Sequence, residues 1–371
     1  MRLSFFPLVV FVASLLTPIS GVQAGSLSLS IEELPESGTI TFLLYDNANA
    51  FGDIRNPYRR VGFDVAAPQP FVIAALPAGE YAVIGFHDEN ANGELDQNFI
   101  GIPKEPLAFA NGYVPRGPPS FERARVSVTA DSEQEFDMAL QRFLGKRGRI
   151  GVGVGVIGRS SPYRDYDGSV TRVIPAITYI GQRVQIFGPT VQVPIKSIGE
   201  TDLAILAQYE IGAYEEGDSD VLAGMGDRKD TLVMGLASRT DLVGGLLLSM
   251  RYSHDVLDRI GGGAAGISVN KRFQVGLFSF APEIGLNWLS SERSSHDFGV
   301  PAAKATADRP AYNLSETVNF ELGLGMSYEI TPKVRLLLNV SSELLDDEVQ
   351  DSPIVDEELL FRGFSAITYV F

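Results

Sequence analysis

The chain has 371 residues, a formal net charge of −16 and no cysteine. Without cysteine it has no disulfide scaffold, no thiol nucleophile and no zinc–thiolate cluster. The acidic balance opposes binding to phosphate backbones, so we expect no nucleic-acid partner.

Residues 1–24 have the pattern of a secretory signal peptide. Arg2 gives a positively charged start, residues 3–16 are mostly apolar, and Val22-Gln23-Ala24 forms a small-residue cleavage site. We therefore predict that the protein is exported and that Gly25 begins the mature chain. No later stretch offers the roughly 18 to 20 uninterrupted apolar residues of a transmembrane helix, so a place in a membrane would require a β-barrel.

Residues 25–141 consist of short runs of β-branched and aromatic residues, separated by Pro, Gly and Asn turn signals. The predicted strands are 26–31, 39–45, 70–75, 81–87, 124–129 and 135–140. This pattern predicts a small β-sandwich, and residues 142–146 are the expected linker to the rest of the chain.

Residues 147–371 contain longer segments in which apolar residues alternate with polar residues or glycine. Val318, Leu322 and Met326 would share one face of a strand, and Asn319 and Glu321 the other. A soluble sandwich gives the same alternation, but strands about ten residues long with glycine and charge on the polar face favour an outer-membrane barrel. We predict an all-β protein in which a periplasmic β-sandwich precedes an antiparallel transmembrane β-barrel.

The number of barrel strands follows from the expected ends. The closing Tyr369-Val370-Phe371 resembles the signal by which bacterial barrels are assembled, which places that end at the periplasm. The first strand also starts there, after the folded domain, so the count must be even. The expected outer loops are 158–169, 214–229, 255–261, 292–314 and 346–357, and the expected periplasmic turns lie near Gly181, Gly199, Asp241, Gln274 and Thr331. Twelve strands result if Gly188-Pro189-Thr190 is a further outer turn, and ten if residues 182–198 are a single bent strand or lie in the lumen.

The stretch 86–98 has the spacing of a calcium loop. Asp88, Asn90, Asn92, the backbone of Glu94, and Asp96 would supply oxygen ligands, and a glycine stands at the sixth position, where the loop must turn. The twelfth position holds Phe99 instead of the bidentate glutamate of an EF-hand, so the missing oxygens would come from Glu89, Glu94 or Glu105. The alternative is an Asx-turn loop, in which Asp and Asn side chains accept hydrogen bonds from their own backbone.

The chain has only three histidines that could act as a catalytic base, His87, His254 and His296. No Gly-x-Ser-x-Gly elbow accompanies them. His254 continues the outward-facing parity of its segment near the outer rim, and His296 lies in a polar segment that we expect to be a solvated loop. We therefore predict that the protein is not an enzyme.

Two of the expected outer loops are strongly acidic. The residues are Glu215, Glu216, Asp218 and Asp220 in one loop, and Asp346, Asp347, Glu348 and Asp351 in another. They predict a solvated rim, or sites for divalent ions that bridge lipopolysaccharide phosphates, or a pore mouth that favours cations.

Several separated motifs carry a family resemblance. They are Gly151-Val152-Gly153-Val154, Tyr163, Tyr166-Asp167-Gly168-Ser169, Pro175, Tyr179, Leu222, Gly226-Asp227-Arg228-Lys229-Asp230, Asp351-Ser352-Pro353-Ile354-Val355 and Tyr369-Val370-Phe371. With these motifs in this order, residues 147–371 resemble the MipA/OmpV family of outer-membrane proteins. The earlier motifs, among them Leu76-Pro77-x-Gly79-x-Tyr81, resemble a bacterial exported domain of unknown function, with a likeness to transthyretin-like and carboxypeptidase-regulatory sandwiches.

The resemblance implies a non-enzymatic role at the cell envelope. Some MipA/OmpV members act as scaffolds that bring a lytic transglycosylase together with a peptidoglycan synthase, and others are porin-like or adhesive. The expected partners are therefore outer-membrane lipid, lipopolysaccharide and periplasmic peptidoglycan-modifying proteins. The alternative is a porin-like barrel that transports small solutes or ions through a lumen lined by Asp202, Glu210, Glu321, Lys333 and Arg335.

Overall fold

A computed structural model describes residues 24–98, 101–115, 119–143, 148–166, 169–181 and 183–371. The predicted signal peptide, apart from Ala24, therefore lies outside the described residues, as do Phe99 and residues 144–147 of the linker region. The protein is all-β, as predicted. None of the helices in the described part of the chain has the length and apolar content that crossing a bilayer requires.

The N-terminal domain consists of two small sheets and one short helix. Its strands are β1 (Ala24–Ile31), β2 (Thr39–Tyr45), β3 (Arg59–Asp64), β4 (Phe71–Pro77), β5 (Gly79–Asp88), β6 (Leu107–Phe109), β7 (Arg125–Val128) and β8 (Glu133–Met138), and its helix is α1 (Phe121–Ala124). One sheet has the order β4-β1-β8; the other has the order β3-β2-β5-β6, with β7 also pairing with β5. The predicted sandwich is confirmed, and β3 and β6 are strands that the sequence pattern did not indicate.

Apolar side chains cover both faces of the larger sheet. From β2, Phe42 and Leu44 pack towards the smaller sheet, and Leu43 and Tyr45 pack against the opposite layer. That layer is built from irregular segments and α1. It includes Phe143, which the sequence had placed in the linker. Because β2 is buried on both sides, its sequence is a continuous run of apolar residues and does not alternate with polar residues.

Thirteen strand segments form the second domain. They are β9 (Arg149–Ser160), β10 (Ser169–Ile180), β11 (Gln185–Phe187), β12 (Thr190–Ile198), β13 (Thr201–Glu210), β14 (Thr231–Leu242), β15 (Leu246–Asp255), β16 (Gly263–Lys271), β17 (Phe273–Val275), β18 (Phe278–Leu289), β19 (Thr317–Thr331), β20 (Val334–Leu344) and β21 (Leu359–Val370). Neighbours in sequence pair antiparallel, and β21 pairs with β9 to close the ring. β17 continues β16 after Arg272, and both pair with β18, so the barrel has the twelve strands that were predicted.

The outer turn predicted at Gly188-Pro189 is present. It joins β11 to β12, with Gly188 at a positive φ of 54° that favours glycine. β11 is only three residues long, which makes it by far the shortest complete strand of the ring.

The two faces of the barrel wall follow the predicted alternation. Exposed outward-facing side chains include Val154, Val173, Ile205, Leu236, Ile284, Leu322 and Ile367. Polar side chains with little exposure, such as Asn287, Asn319 and Glu343, face inward. An oily outside and a polar inside are what a bilayer-spanning barrel requires.

The two ends of the barrel differ. Short turns and the N-terminal domain lie at one end, here called the domain end. Long loops lie at the other, the loop end, and they contain helices α2 (Ser291–Phe298) and α3 (Asp347–Gln350).

Candidate functional site

The predicted calcium loop follows β5 and is held by its own polar side chains. The Asp88 carboxylate accepts hydrogen bonds from the backbone N–H groups of Asn92 (3.2 Å) and Gly93 (2.7 Å). The Asn92 side-chain oxygen accepts from Glu94 N at 2.7 Å. These are the bonds of an Asx-turn loop. In the described ranges, no three histidine or acidic side chains converge to hold a metal ion.

The same loop nevertheless gathers most of its predicted ligands. The side-chain amides of Asn90 and Asn92 donate to the two Asp96 carboxylate oxygens, at 2.8 and 3.2 Å. The oxygens of the same two amides accept from Asn92 N at 3.0 Å and from Glu94 N at 2.7 Å, so turning either amide oxygen towards Asp96 would break one of these bonds. Glu94 takes part through its backbone N–H, which donates to Asn92, and the calcium site stays a prediction.

Glu105 supports this loop from beneath. Its two carboxylate oxygens accept from Glu89 N at 2.9 Å and from Asp96 N at 3.1 Å. Burial raises the pKa of the Glu105 carboxyl above its ordinary value, and the two N–H donors only partly offset that effect. Glu105 is thus already engaged with backbone groups, while Glu89 pairs with Arg142.

The N-terminal domain docks against the domain end of the barrel. Ser120 Oγ donates to Gly276 O at 3.2 Å, and Gln274 Nε2 donates to Pro119 O at 3.2 Å, joining the segment before α1 to the turn between β17 and β18. Arg149, at the start of β9, donates to Pro115 O at 3.3 Å.

Ion pairs at two other places complete this junction. Arg55 pairs with Glu200 in the turn between β12 and β13, and donates to the carbonyl of Asp241 near the next such turn. Arg123 Nη1 lies 3.7 Å from Glu329 Oε1 at the end of β19. In a ring of twelve strands, β19 lies opposite the β12–β13 turn. The domain therefore extends across the mouth of the barrel.

The junction also contains a partly buried tyrosine. Burial, followed by the charge of Glu329, raises the pKa of Tyr113 to about 12. The neutral phenol is therefore the form present at any physiological pH, and the junction carries no titrating group at this position.

At the loop end, the long loops fold over the barrel into a packed layer, here called the loop cap. Its buried apolar residues are Tyr163, Tyr214, Leu222, Met225, Phe298, Val300, Leu314, Leu345, Val349, Ile354, Val355 and Leu360. The rings of Tyr163 and Tyr214 meet edge to face with centroids 4.9 Å apart. Isolated apolar residues from four loops thus come together as a core, while most of the acidic side chains expected at a solvated rim are exposed, namely Glu215, Glu216, Asp220, Asp347 and Asp351.

The acidic residues of these loops serve the cap as hydrogen-bond acceptors. Asp346 caps α3 by accepting from Glu348 N at 3.0 Å, and also accepts from Val318 N at 2.9 Å. Glu216 accepts from Gly226 N at 3.1 Å, while Asp218 accepts from Glu215 N at 2.9 Å. These carboxylates fix the backbone of the cap, because each satisfies an N–H group that has no partner in a strand.

A cavity of about 120 Å³ lies between the loop cap and the barrel rim. Its lining includes the acidic and basic residues Arg159, Glu210, Asp218, Lys229, Arg293, His296, Asp297 and Arg362. Arg293 Nη2 lies 2.5 Å from Glu210 Oε2, and Arg293 Nε lies 4.0 Å from Asp297 Oδ2. Burial alone would lower the pKa of Arg293, but these two carboxylates outweigh it, so the net shift is upward.

The three histidines lie far apart in the fold. His87 Nε2 lies 2.8 Å from the carbonyl oxygen of Ser37 in the N-terminal domain. His254 is exposed on the outer face of β15, as predicted. His296 is not in a solvated loop: it lies in α2, partly buried, with Nδ1 2.8 Å from Asp297 Oδ1. The helix was missed because its own sequence, SERSSHDF, is polar.

Polar side chains hydrogen-bond along the inner wall. Asn287 donates to Glu321 at 2.7 Å and accepts from Arg251 at 3.1 Å. Asn319 donates to Glu343 at 2.9 Å, and Glu343 pairs with Arg362 at 2.7 Å. The inner wall is thus polar, as predicted for Glu321. One prediction is corrected: Lys333 lies in a turn, its Nζ 5.9 Å from the centre of the outward-facing Tyr369 ring, and does not line the lumen.

Comparison with known proteins settles the family of the barrel. The sequence model of "MltA-interacting protein MipA" matches residues 152–371. The chain belongs to the MipA family. A second model, described as "Uncharacterized protein conserved in bacteria", matches residues 31–136 of the N-terminal domain. The resemblance inferred from the motifs is therefore confirmed for both parts.

Other MipA-family barrels are outer-membrane proteins. Outer membrane protein Omp26La of Vibrio anguillarum is 26% identical over 59% of this chain and 85% of its own length. OmpV of Vibrio cholerae is 27% identical over 46% of this chain and 67% of its own. The MltA-interacting protein of Escherichia coli is 28% identical over 60% of this chain and 89% of its own. The outer-membrane location is thus confirmed, with the domain end in the periplasm and the loop end outside.

Solved structures resemble this MipA-family chain only loosely. The outer membrane channel DcaP of Acinetobacter baumannii has a TM-score of 0.25 and 11% identity, covering 90% of this chain and 94% of its own. The toluene transporter TbuX of Ralstonia pickettii has a TM-score of 0.28 and 10% identity, covering 61% and 90%. The strand pairing described above defines the fold.

Several of the family motifs gather in the loop cap. Tyr163, Leu222, Ile354 and Val355 all belong to the core of the loop cap, and Arg164 N donates to Ile354 O at 3.0 Å. Arg228, from another motif, donates to the carbonyl of His296 at 2.6 Å. The motifs that carry the resemblance therefore describe the cap as much as the barrel.

Proposed function

We propose that this protein is a non-enzymatic envelope anchor. Its barrel holds a folded β-domain at the periplasmic mouth, where the domain can bind peptidoglycan-modifying proteins. The observation that carries the proposal is the junction: Arg55 and Arg123 bind opposite sides of the rim, so the domain is fixed in place rather than tethered by a linker alone.

The similarity to the MltA-interacting protein of Escherichia coli supports the kind of partner. By that analogy, the partner is a lytic transglycosylase, and the barrel supplies the membrane attachment. The N-terminal domain would add a second periplasmic surface. The acidic charge of the chain suits a basic partner surface, since complementary charge speeds association.

Coverage of both ends also favours an anchor over an open porin. The N-terminal domain extends across one mouth, and the loop cap, with Leu222, Val349 and Ile354 fully buried, covers the other. A large water-filled passage would require at least one of these layers to move. The second candidate function is transport of small solutes or ions. The specific observation in its favour is the polar inner wall of the barrel, where Arg251, Asn287 and Glu321 form one hydrogen-bonded chain.

Conductance in planar bilayers separates the two functions. For the anchor, we expect the purified full-length chain to show no stable conductance, and the double variant Arg55→Ala/Arg123→Ala to remain closed because the loop cap is intact. Arg59→Ala is the matched control, since Arg59 donates to Ala74 O inside the N-terminal domain. Steady conductance of the unmodified chain would favour transport.

Binding to a purified lytic transglycosylase of the MltA type tests the scaffold directly. We expect the full-length chain in detergent to bind it with a micromolar or tighter Kd. A partner that binds the docked domain and the rim together should bind the Arg55→Ala/Arg123→Ala variant more weakly. Failure of the unmodified chain to bind would remove the scaffold role and leave the membrane attachment unaffected.

A further inference from the structure

The barrel wall has one open strand edge. β9 pairs with β10 along all twelve residues of β10, but on its other side β10 pairs with β11 only at Thr178, Tyr179 and Ile180. Beyond the Gly188-Pro189 turn, residues 169–176 pair with no strand on that side in the part of the chain that the structure describes. The open edge runs towards the loop end, in the outer half of the wall; it is called the wall seam below.

Proline stands on this edge. Gly188 N donates to Ile177 O at 3.0 Å, so Ile177 points its backbone polar groups towards the seam. In an antiparallel strand, alternate residues point these groups to the same side, which places Thr171, Val173 and Pro175 on the open edge. Pro175 has no N–H, so the edge lacks one donor that a paired strand would need.

The strand on the other side of β11 also carries a proline, but at the domain end. Gln185, the first residue of β11, pairs with Gln192, and Pro194 lies two residues further towards the domain end, where β11 has not yet begun. Both strands flanking β11 thus carry a proline where β11 does not reach, and of the two only Pro175 lies on the wall seam.

An open edge in a bilayer must be satisfied. Backbone groups facing hydrocarbon cost several kcal/mol each, so exposed sheet edges do not occur there without a partner or water. Val173 beside the seam is 72% exposed, the largest exposed fraction among the outward-facing valines of the barrel strands. The seam therefore presents an apolar surface and unpaired backbone groups side by side.

Cations collect where the seam meets the loop end. Arg172 lies close enough to Asp230 for its charge to act on it, and Arg259 donates to the Asp230 carbonyl. Asp230 in turn accepts from Tyr209 Oη at 2.5 Å and from Gly212 N at 2.9 Å. Gly212 lines the 120 Å³ cavity together with Lys229 and Arg159. The seam and the cavity thus share the end of β13.

Several cations at this place have no carboxylate partner of their own. Among the described residues, Arg159, Arg172, Lys229 and Arg259 take part in no side-chain ion pair, whereas Glu210 and Asp297 pair with Arg293. The nearby carboxylates of Asp230 and Asp255 accept hydrogen bonds from backbone N–H groups. The side chains of Arg172, Lys229 and Arg259 are therefore available to an anionic group.

We propose that the wall seam binds one molecule of lipid A from the outer leaflet, with an acyl chain along Val173 and a phosphate between Arg172, Lys229 and Arg259. Guanidinium and ammonium groups bind phosphate through charge-assisted hydrogen bonds. The apolar tail and the anionic headgroup match the two halves of the site. A β-strand of another protein fits less well, because Pro175 interrupts the ladder that such a strand would need.

Photo-crosslinking in cells tests the occupant. A benzoylphenylalanine at Val173 should crosslink to lipopolysaccharide, and the same residue at Leu236, which is 59% exposed on the complete wall of β14, should do so far less. A crosslink from Val173 to a protein would overturn the proposal in favour of strand addition. Equal yields at both positions would also overturn it, because they would mean ordinary annular lipid.

Lipid binding to the purified chain tests the headgroup. In native mass spectrometry, we expect one lipid A to bind the full-length chain, and Arg172→Gln/Lys229→Gln to weaken binding about tenfold, or about 1.4 kcal/mol. Lys333→Gln, a cation at the periplasmic rim, is the control and should bind as the unmodified chain does. The proposal fails if phosphatidylcholine binds as tightly as lipid A, or if the double variant keeps full affinity.

Each variant also needs evidence of folding. Heat-modifiable migration on gels, the usual sign of a closed barrel, should be unchanged for all three chains. If Arg172→Gln/Lys229→Gln does not fold, the single variant Lys229→Gln replaces it, because Lys229 is exposed and lies outside the strands. A loss of about threefold is expected for that variant, and unchanged affinity would contradict the headgroup assignment.

Discussion

Arg123 of the N-terminal domain lies 3.7 Å from Glu329 of the barrel, and the Glu329 side chain is only 6% exposed. A carboxylate so little hydrated depends on its partner, since an unpaired buried charge is costly. This pair is therefore a sensitive point of the junction between the two domains.

Removing the Arg123 side chain should loosen the docked domain. Arg123→Ala leaves Glu329 without its partner, and we expect the junction to lose about 1 to 3 kcal/mol. Hydrogen exchange at residues 119–124 should become faster, while exchange in β2 stays slow. Arg125→Ala is the control, because Arg125 pairs only within its own domain, with Glu80 and Glu122. Equal exchange in both variants would show that the pair does not contribute to docking.

Truncation in the loop cap should open the outer end without unfolding the barrel. Leu222 is fully buried, so Leu222→Ala should cost about 2 to 5 kcal/mol of cap stability. Limited proteolysis should then cut within 213–230, and the strands should remain resistant. Leu257→Ala, at a site that is 47% exposed, should change nothing. Resistance of the Leu222→Ala loops would mean that the cap does not depend on its core.

Glu105 should make its loop pH-dependent. Because burial raises the pKa of Glu105 in the fold above the ordinary 4.5, its stabilising contribution is fully present below about pH 4.5 and is lost as the pH rises through the folded-state pKa. The unmodified loop should therefore lose stability, relative to Glu105→Gln, between pH 4 and neutrality. Hydrogen exchange of the amides of Glu89 and Asp96, corrected for intrinsic rates, measures this. A stability difference between the two chains that stays constant with pH would contradict it.

Calcium should stabilise the loop at 86–98 if the sequence prediction is right. Sites of extracytoplasmic modules bind with Kd values of about 10⁻⁴ to 10⁻³ M, so millimolar calcium should slow hydrogen exchange there. Asp88→Asn should abolish the effect, and Asp131→Asn, in a distant turn, should retain it. If millimolar calcium leaves exchange in the unmodified loop unchanged, its polar side chains serve only the Asx turn.

Sequence patterns predicted the elements whose residues repeat with a period. In the segment from Val318 to Tyr328, apolar and polar residues alternate because one face of the strand contacts lipid. Both ends of β2 were predicted correctly, because its β-branched and aromatic residues form one run bounded by turn signals. The turn at Gly188 followed from the need for an even count.

The loop cap and the junction could not be predicted in the same way. Leu222, Phe298 and Val349 lie in loops whose apolar residues have no regular spacing, and they become a core only when four loops meet. Arg55 and Glu200 belong to different domains, so no local pattern links them. Strand β3, Arg59–Asp64, was missed because its two arginines interrupt the apolar run.

The pairing of β21 with β9 joins residues about as far apart as the barrel sequence allows, such as Phe361 and Ser160, which are 201 positions apart. Contacts of such long range form slowly, because the chain entropy of the intervening loop is lost before they form. We therefore expect the barrel to close late in biogenesis, after the periplasmic domain has folded. Until then β9 and β21 are unpaired edge strands, which can pair with other chains. The insertion machinery therefore has to shield them.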